Sequence, residues 1–230
     1  MKLIKKIFFT ILVFILMSIS IILSLGYVYY QKSINDIPLE DRVSKITSKP
    51  NFTPFDNLPK NYVNAVISVE DHRYFSHGPI DFIGLGRAIY TNLKYKEFRE
   101  GGSTITQQVA KNIVFNQNKS IIRKIAEIFA AFDLEKNYSK EEIFALYVNS
   151  SYFGDGYYCI KDASNAYFNK EPHELDLNES SILAGVPNAP SVYAPTANFE
   201  LCKKRQKHVL NKMLENHYIT QKDIDNILNK

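Results

Sequence analysis

From Ile7 to Tyr30 the chain carries no charged residue, and nearly every side chain in the run is apolar. In hydrocarbon a backbone must satisfy its own hydrogen bonds, so such a run is predicted to be helical. At ~1.5 Å per residue, roughly 20 residues cross the ~30 Å apolar core of a bilayer, and this run is long enough. Lys2, Lys5 and Lys6 stand on its N-terminal flank. They predict that end inside the cell and everything after residue 30 outside. A cleaved signal has an apolar stretch of only ~7–15 residues and ends in small side chains. This run ends Gly26-Tyr27-Val28-Tyr29-Tyr30, a sequence better suited to the membrane interface, so a retained anchor is expected. A helix from a soluble core is rarely so uniformly apolar.

The chain therefore divides into a basic tip and transmembrane anchor (1–30), a polar linker carrying Pro38, Pro50 and Pro54 (31–56), and a domain (57–230). Hydrophobic residues are 45% and charged residues 23%, a globular balance that excludes general disorder. The fold class expected for the domain is mainly α. Pro59 suits the first turn of a helix carrying Tyr62, Val63, Val66 and Ile67. Ser103 can cap a helix with Ile105, Val109 and Ile113 on one stripe. Residues 120–136 give another stripe, and Ser139 with Glu142 reads as a capping box before Ile143, Leu146 and Tyr147. Glu174 to Ala184 and Cys202 to Asn216 read as two more helices. The only two cysteines, Cys159 and Cys202, form no CxxC, which argues against thiol metal or redox chemistry. Their spacing leaves a disulfide open.

Three segments carry chemistry. In Glu70-Asp71-His72-Arg73-Tyr74-Phe75 an apolar helix runs into ionisable groups. A partly desolvated carboxylate there suits general acid or base work, although the same residues fit a solvated helix end. In Gly101-Gly102-Ser103-Thr104-Ile105-Thr106-Gln107-Gln108-Val109-Ala110-Lys111-Asn112 two glycines lead into a helix start rich in hydroxyls and amides. Free backbone N–H groups there favour an anion, and Gln107, Gln108 and Lys111 can converge at helical spacing. The face suits a polyhydroxyl, phosphate-bearing ligand. Lys119, Arg123 and Lys124 follow, and with Lys111 they make a candidate basic cluster for a pyrophosphate. The formal charge of +4 suits an anionic lipid surface or substrate, and no nucleic acid is expected as partner.

Residues 70–88 resemble the first signature of the peptidoglycan glycosyltransferases, glycosyltransferase family 51. Gly101–Asn112 is similar to the second, residues 123–154 to the third and fourth, and 177–195 with 205–220 to the last. The resemblance covers nearly all of residues 57–220, in order. It implies a lysozyme-like, two-lobed α fold and a monofunctional transglycosylase without a transpeptidase domain. It further implies lipid II and the growing glycan strand as substrates, with cell-wall synthesis proteins as further partners. Glu70 would be the general base, taking the proton from the 4-hydroxyl of an acceptor GlcNAc. That oxygen would attack the MurNAc anomeric carbon with inversion, and undecaprenyl pyrophosphate would leave. Lys111 matches the family's pyrophosphate-contacting lysine, and Lys119 a position that is usually basic. Arg87, Ser103, Thr106, Gln107, Gln108, Arg123, Asn149 and Tyr152 map onto other substrate-binding positions.

Many relatives carry a second glutamate where this chain has Ala145, and Glu142, one turn earlier, is the candidate to replace it. Pro79 and Asn169 stand where glycine is usual, and Asp155–Ile160 only loosely follows the family's turn. Two rival functions remain: a weakly active or inactive membrane-anchored scaffold, for which Ala145 speaks, and a lysozyme-like hydrolase, which needs neither a pyrophosphate cluster nor an anchor. No cofactor or metal site is required by the sequence, although Mg²⁺ or Mn²⁺ could bridge a pyrophosphate. Tyr90, Leu93, Tyr95 and Phe98, interleaved with Lys94, Lys96 and Arg99, suit a segment lying on the membrane interface.

Overall fold

The computed structural model describes residues 2–97, 101–115 and 120–229. Lys119, Phe98 and Arg99 lie outside them. The mainly α expectation holds: twelve α-helices and four short 3₁₀ turns, and no strand among the described residues.

Helix α1 (Lys2–Asp36) runs 35 residues without a break. At ~1.5 Å per residue it is about 52 Å long, well beyond a bilayer's apolar core. Its apolar window is wholly exposed, as a membrane span outside its membrane would be. The last turns behave differently. Gly26 and Tyr30 are buried, and Tyr29 and Ile34 pack against the core. That face lies on α6 (Ile121–Asn137).

Residues 31–56, expected as a polar linker, pack on the domain. They hold the end of α1 and helix α2 (Leu39–Thr47), whose Leu39, Val43 and Ile46 recur at helical spacing and enter the core. Arg42 locks the segment, donating to Ser33 O (2.9 Å), Ile37 O (3.0 Å) and Ile113 O (3.0 Å). The prolines and polar residues hid this amphipathic stripe.

At the centre lies α7 (Lys140–Ser150), buried on all sides from Ile143 to Asn149, as a helix apolar around its circumference must be. Its predicted capping box is present: Glu142 N donates to Ser139 Oγ (3.2 Å) and Ser139 N to Glu142 Oε2 (2.7 Å). Around it stand α5 (Ile105–Val114) and α6 on one side. On the other, α3 (Lys60–Glu70), α9 (Leu177–Gly185) and α11 (Phe199–Glu215) pack on one another. Helix α4 (Phe82–Tyr95) lies at the rim, while α8 (Ile160–Phe168), α10 (Pro190–Tyr193) and α12 (Gln221–Leu228) complete the chain. Cys159 and Cys202 are separate buried thiols, so the open disulfide question closes negatively.

Candidate active site

The end of α3, the start of α5, α6, α11 and the turn at Pro187–Asn188 enclose a cleft of about 850 Å³, with Arg87, Thr91 and Tyr95 of α4 on its rim. Glu70, the last residue of α3, lines it. Gln108 Nε2 donates to Glu70 Oε2 at 2.8 Å. Glu70 Oε1 is buried and has no hydrogen-bond partner among the described residues; Arg205 of α11 approaches it to 3.8 Å. One carboxylate oxygen is thus fixed and the other keeps an unused lone pair.

The residue after Glu70 ties the two sides together. Asp71 Oδ2 accepts the backbone N–H of Ile105, the first residue of α5, at 3.1 Å. Its Oδ1 meets His77 Nε2 at 2.6 Å, while His77 Nδ1 faces Gly78 O at 2.5 Å. Both imidazole nitrogens face acceptors, an arrangement that favours the doubly protonated ring. Burial alone would lower the His77 pKa, but the Asp71 hydrogen bond and charge overcome it, and the net shift is upward. Asp81 caps α4, accepting from Ile83 N (3.0 Å) and Gly84 N (2.9 Å), and pairs with Arg73. Burial opposes its charge, but Arg73, the Gly84 N–H and His77 together outweigh burial and Asp81 sits at about 2. Asp71, His77 and Asp81 come close enough to share a cation. Their facing atoms are instead used by one another, by Arg73 and by backbone N–H groups, an arrangement that does not fit a metal.

The N-cap of helix α5 is Thr104, one residue later than the predicted Ser103 cap. Gln107 N donates to Thr104 Oγ1 (3.2 Å) and Thr104 N to Gln107 Oε1 (3.4 Å), a full capping box. Ser103 is released to accept Lys124 Nζ at 2.6 Å. Lys111 lies one turn beyond Gln107 and faces the cleft. Burial pulls its ammonium below the ordinary lysine pKa; Arg123 and Lys124 pull the same way, Glu127 and Glu70 oppose them. Among the described residues it has no hydrogen-bond or ion-pair partner.

Glu127 of α6 is a second carboxylate lining the cleft, and the sequence reading missed it. It is 2% exposed and meets Arg123 Nε at 3.2 Å and Lys124 Nζ at 3.0 Å. The signal was present: Glu127 stands four residues after Arg123 and three after Lys124, so all three can share a helix side. Arg205, also missed, reaches the cleft because Gly185 leaves room; a Cβ there would lie 2.8 Å from Arg205 Cγ. Its Nε donates to Gly185 O at 3.3 Å, and its guanidinium lies 5.7 Å from the Tyr193 ring centre.

Of the residues proposed from sequence, Glu70, Arg87, Ser103, Gln107, Gln108 and Lys111 line one cleft, with Arg123 behind Glu127. Arg87 lies against the His72 ring at 3.0 Å, and burial, with the charges of Arg87 and Arg73, lowers the His72 pKa. The others stand apart from the cleft lining. Thr106 is fully buried and donates to Glu135 Oε1 at 2.6 Å. Asn149 clamps the preceding loop, accepting Thr53 N (2.9 Å) and donating to Thr53 O (2.7 Å). Tyr152 stacks on Tyr158 with ring centres 4.7 Å apart. Glu142 is spent on the α7 cap, and Ala145 is buried core.

The transglycosylase family model matches residues 29–214, beginning in the packed end of α1. Penicillin-binding protein 1A of Neisseria lactamica is 42% identical over 179 residues, covering 78% of this chain and 22% of that protein. Penicillin-binding protein 1F of Bacillus subtilis is 42% identical over 168 residues, 73% of this chain and 24% of that protein. This chain thus spans about a quarter of these relatives' length. A Cupriavidus necator protein bearing the name transglycosylase is 38% identical over 192 residues, covering 84% of this chain and 83% of that protein. The chain belongs to the transglycosylase family.

Proposed function

We propose that this chain is a membrane-anchored peptidoglycan glycosyltransferase that polymerises lipid II into glycan strands. The observation that carries the reading is Glu70: Oε2 is held by Gln108, and Oε1 accepts no hydrogen bond and faces Arg205 at 3.8 Å, in a cleft whose other wall is basic. A carboxylate so held is pre-positioned to take a proton from an acceptor hydroxyl, here the 4-OH of GlcNAc. As the proton leaves, that oxygen bonds to the MurNAc anomeric carbon and the bond to the diphosphate breaks. Attack opposite the leaving group inverts the centre. The departing diphosphate carries its own negative charge, so it needs cations more than an acid. Lys111 and Lys124 supply them, with Glu127 holding Lys124 in place. Arg205 keeps the Glu70 wall polarised. The cleft's own cations, Lys111 and Lys124, neutralise the diphosphate.

The anchor supports a substrate that stays in the membrane. The lysines before it favour a cytoplasmic N-terminus and an extracytoplasmic cleft. Helix α4 adds an exposed apolar face, with Phe82 74% and Leu93 73% exposed and Ile89 and Tyr90 between them. Lys94 lies over the Tyr90 ring at 5.9 Å. Such a face suits the lipid interface, its lysines reaching headgroups. The scaffold alternative drew on Ala145. That residue lies in the core, and Glu127 is a further carboxylate of the cleft, beside Glu70, Asp71 and Glu215.

The test is incubation of the full chain with lipid II in detergent, followed by product sizing. Long β-linked strands support the reading. Short cleaved sugars would favour a hydrolase, and unchanged lipid II a scaffold.

A further inference from the structure

Helix α1 is not flexibly tethered to the domain it anchors. It continues without a break to Asp36, so no hinge separates the membrane span from the folded part. At Gly26 the two helices α1 and α6 touch. A Cβ on Gly26 would lie 2.4 Å from Ile125 Cγ2, 2.6 Å from Ile125 Cβ and 3.3 Å from Ile122 O. Only glycine permits that approach. Next to Gly26, Tyr27 packs edge-on to Phe129 with ring centres 5.2 Å apart; one turn on, Tyr30 stacks on Phe129 at 6.3 Å and its hydroxyl donates to Asp133. The joint therefore has a close-packed fulcrum at Gly26 and a polar lock at Tyr30.

Helix α6 is also the helix that lines the cleft. Lys124 and Glu127 flank Ile125 in sequence, so the residue that receives Gly26 sits between two cleft residues. A rigid rod embedded in the bilayer is thereby bolted to the wall that carries the cations.

We infer that the Gly26–Ile125 contact is a positioning joint, which sets the height and facing of the cleft above the membrane. Gly26 touches no reacting atom. This inference rests on the proposed lipid-linked substrate, whose tail stays in the bilayer while its diphosphate must reach Lys111 and Lys124. A free tether would let the cleft tumble, whereas a bolted rod holds it where the diphosphate emerges. In detergent the substrate is not confined to a plane, so the joint matters less there.

The test uses the full chain with Gly26→Ala, alone and paired with Ile125→Gly, which moves the notch to the facing helix. Two quantities are read. The first is the ratio of initial polymerisation rates on lipid II in liposomes and in detergent. A misplacement of about 1 Å can cost on the order of a hundredfold in rate, so Gly26→Ala is expected to lower that ratio about tenfold or more, and the paired change to restore it. The second needs no activity: energy transfer from a fluorophore on Lys136→Cys, an exposed site near the end of α6, to headgroup-labelled lipid. Both native cysteines are buried, which favours labelling at the introduced one. Gly26→Ala is expected to shift or broaden the distance, and the paired change to recover it. Equal rate losses in liposomes and detergent with an unmoved distance would overturn the joint, leaving Gly26 a mere packing residue. So would an unchanged ratio. If even the unaltered chain makes no polymer while the distance still responds, the proposed function fails and the joint stands.

Discussion

Gln108 Nε2 donates to Glu70 Oε2 at 2.8 Å, joining the first half of α5 to the last residue of α3. The bond selects the oxygen left free. A hydrogen bond to a charged acceptor contributes ~1.5–3 kcal/mol, so Gln108→Leu should lower polymerisation turnover about ten- to hundredfold. Its melting temperature should change little, because the bond lies at the cleft. Initial rates at saturating lipid II read the effect.

The two candidate second carboxylates separate cleanly. Glu142 accepts the Ser139 N–H at the exposed start of α7, and a neutral amide oxygen can accept the same bond. Glu142→Gln should keep turnover within about twofold, while Glu142→Ala should cost on the order of 1 kcal/mol of stability through the lost cap. Glu127→Gln removes the counter-charge of Arg123 and Lys124 inside the cleft. It should lower turnover at least about tenfold, since Lys124 loses the group that orients it. Parallel rate and thermal-melting measurements check both.

The His77–Asp71 pair predicts a signed pH effect. The His77 pKa is raised in the folded state, so its stabilisation is full below the unfolded value of ~6.5 and is lost as pH rises through the folded value. Asp81 runs the other way: its contribution is present above ~3.9 and is lost as pH falls through about 2. Between about pH 6 and 9 the melting-temperature gap between the unaltered chain and His77→Asn should therefore shrink, and the gap for Asp81→Asn should stay level. A His77 gap that widens with pH would contradict the doubly protonated ring.

Lys111 gives a second pH signature, in binding. Its pKa is lowered chiefly by burial, and an anionic ligand favours the protonated form. Affinity for a soluble diphosphate-sugar analogue should fall as pH rises through that lowered value, earlier than an ordinary lysine of ~10.4 would allow. Lys111→Ala should weaken binding about tenfold or more and remove this pH step. Calorimetric titration across the alkaline range checks it.

Local signals in the sequence were read well where a short pattern decides the structure. The Ser139–Glu142 cap depends only on spacing and is present; residues 121–137 are helical as expected, but the face that α6 buries is Ala126, Glu127, Ala130, Ala131 and Leu134, while Ile121 and Phe132 are exposed. The α5 cap was misplaced by one residue because Ser103 and Thr104 are both good caps, and only Pro79 O, accepting Thr104 Oγ1 at 3.0 Å, chooses between them. Residues 31–56 were misread because prolines and charges dominate their composition, while Leu39, Val43 and Ile46 act as a three-residue stripe. Asn149 and Thr106 entered the candidate set by their match to the family's motif positions; in the fold both are buried and bond Thr53 and Glu135. Glu127 was legible from its spacing to Arg123 and Lys124, whereas Arg205 enters the cleft from a helix distant in the chain from Glu70, a convergence that spacing does not encode.

The central claim is that Glu70 is the base of the transfer. The measurement is strand formation from lipid II by the unaltered chain and by Glu70→Gln, with lipid II binding measured on both. The account predicts β-linked strands from the first, and from the second a loss of about a hundredfold or more in turnover with binding retained. Polymer formation by Glu70→Gln at a rate close to that of the unaltered chain would contradict it.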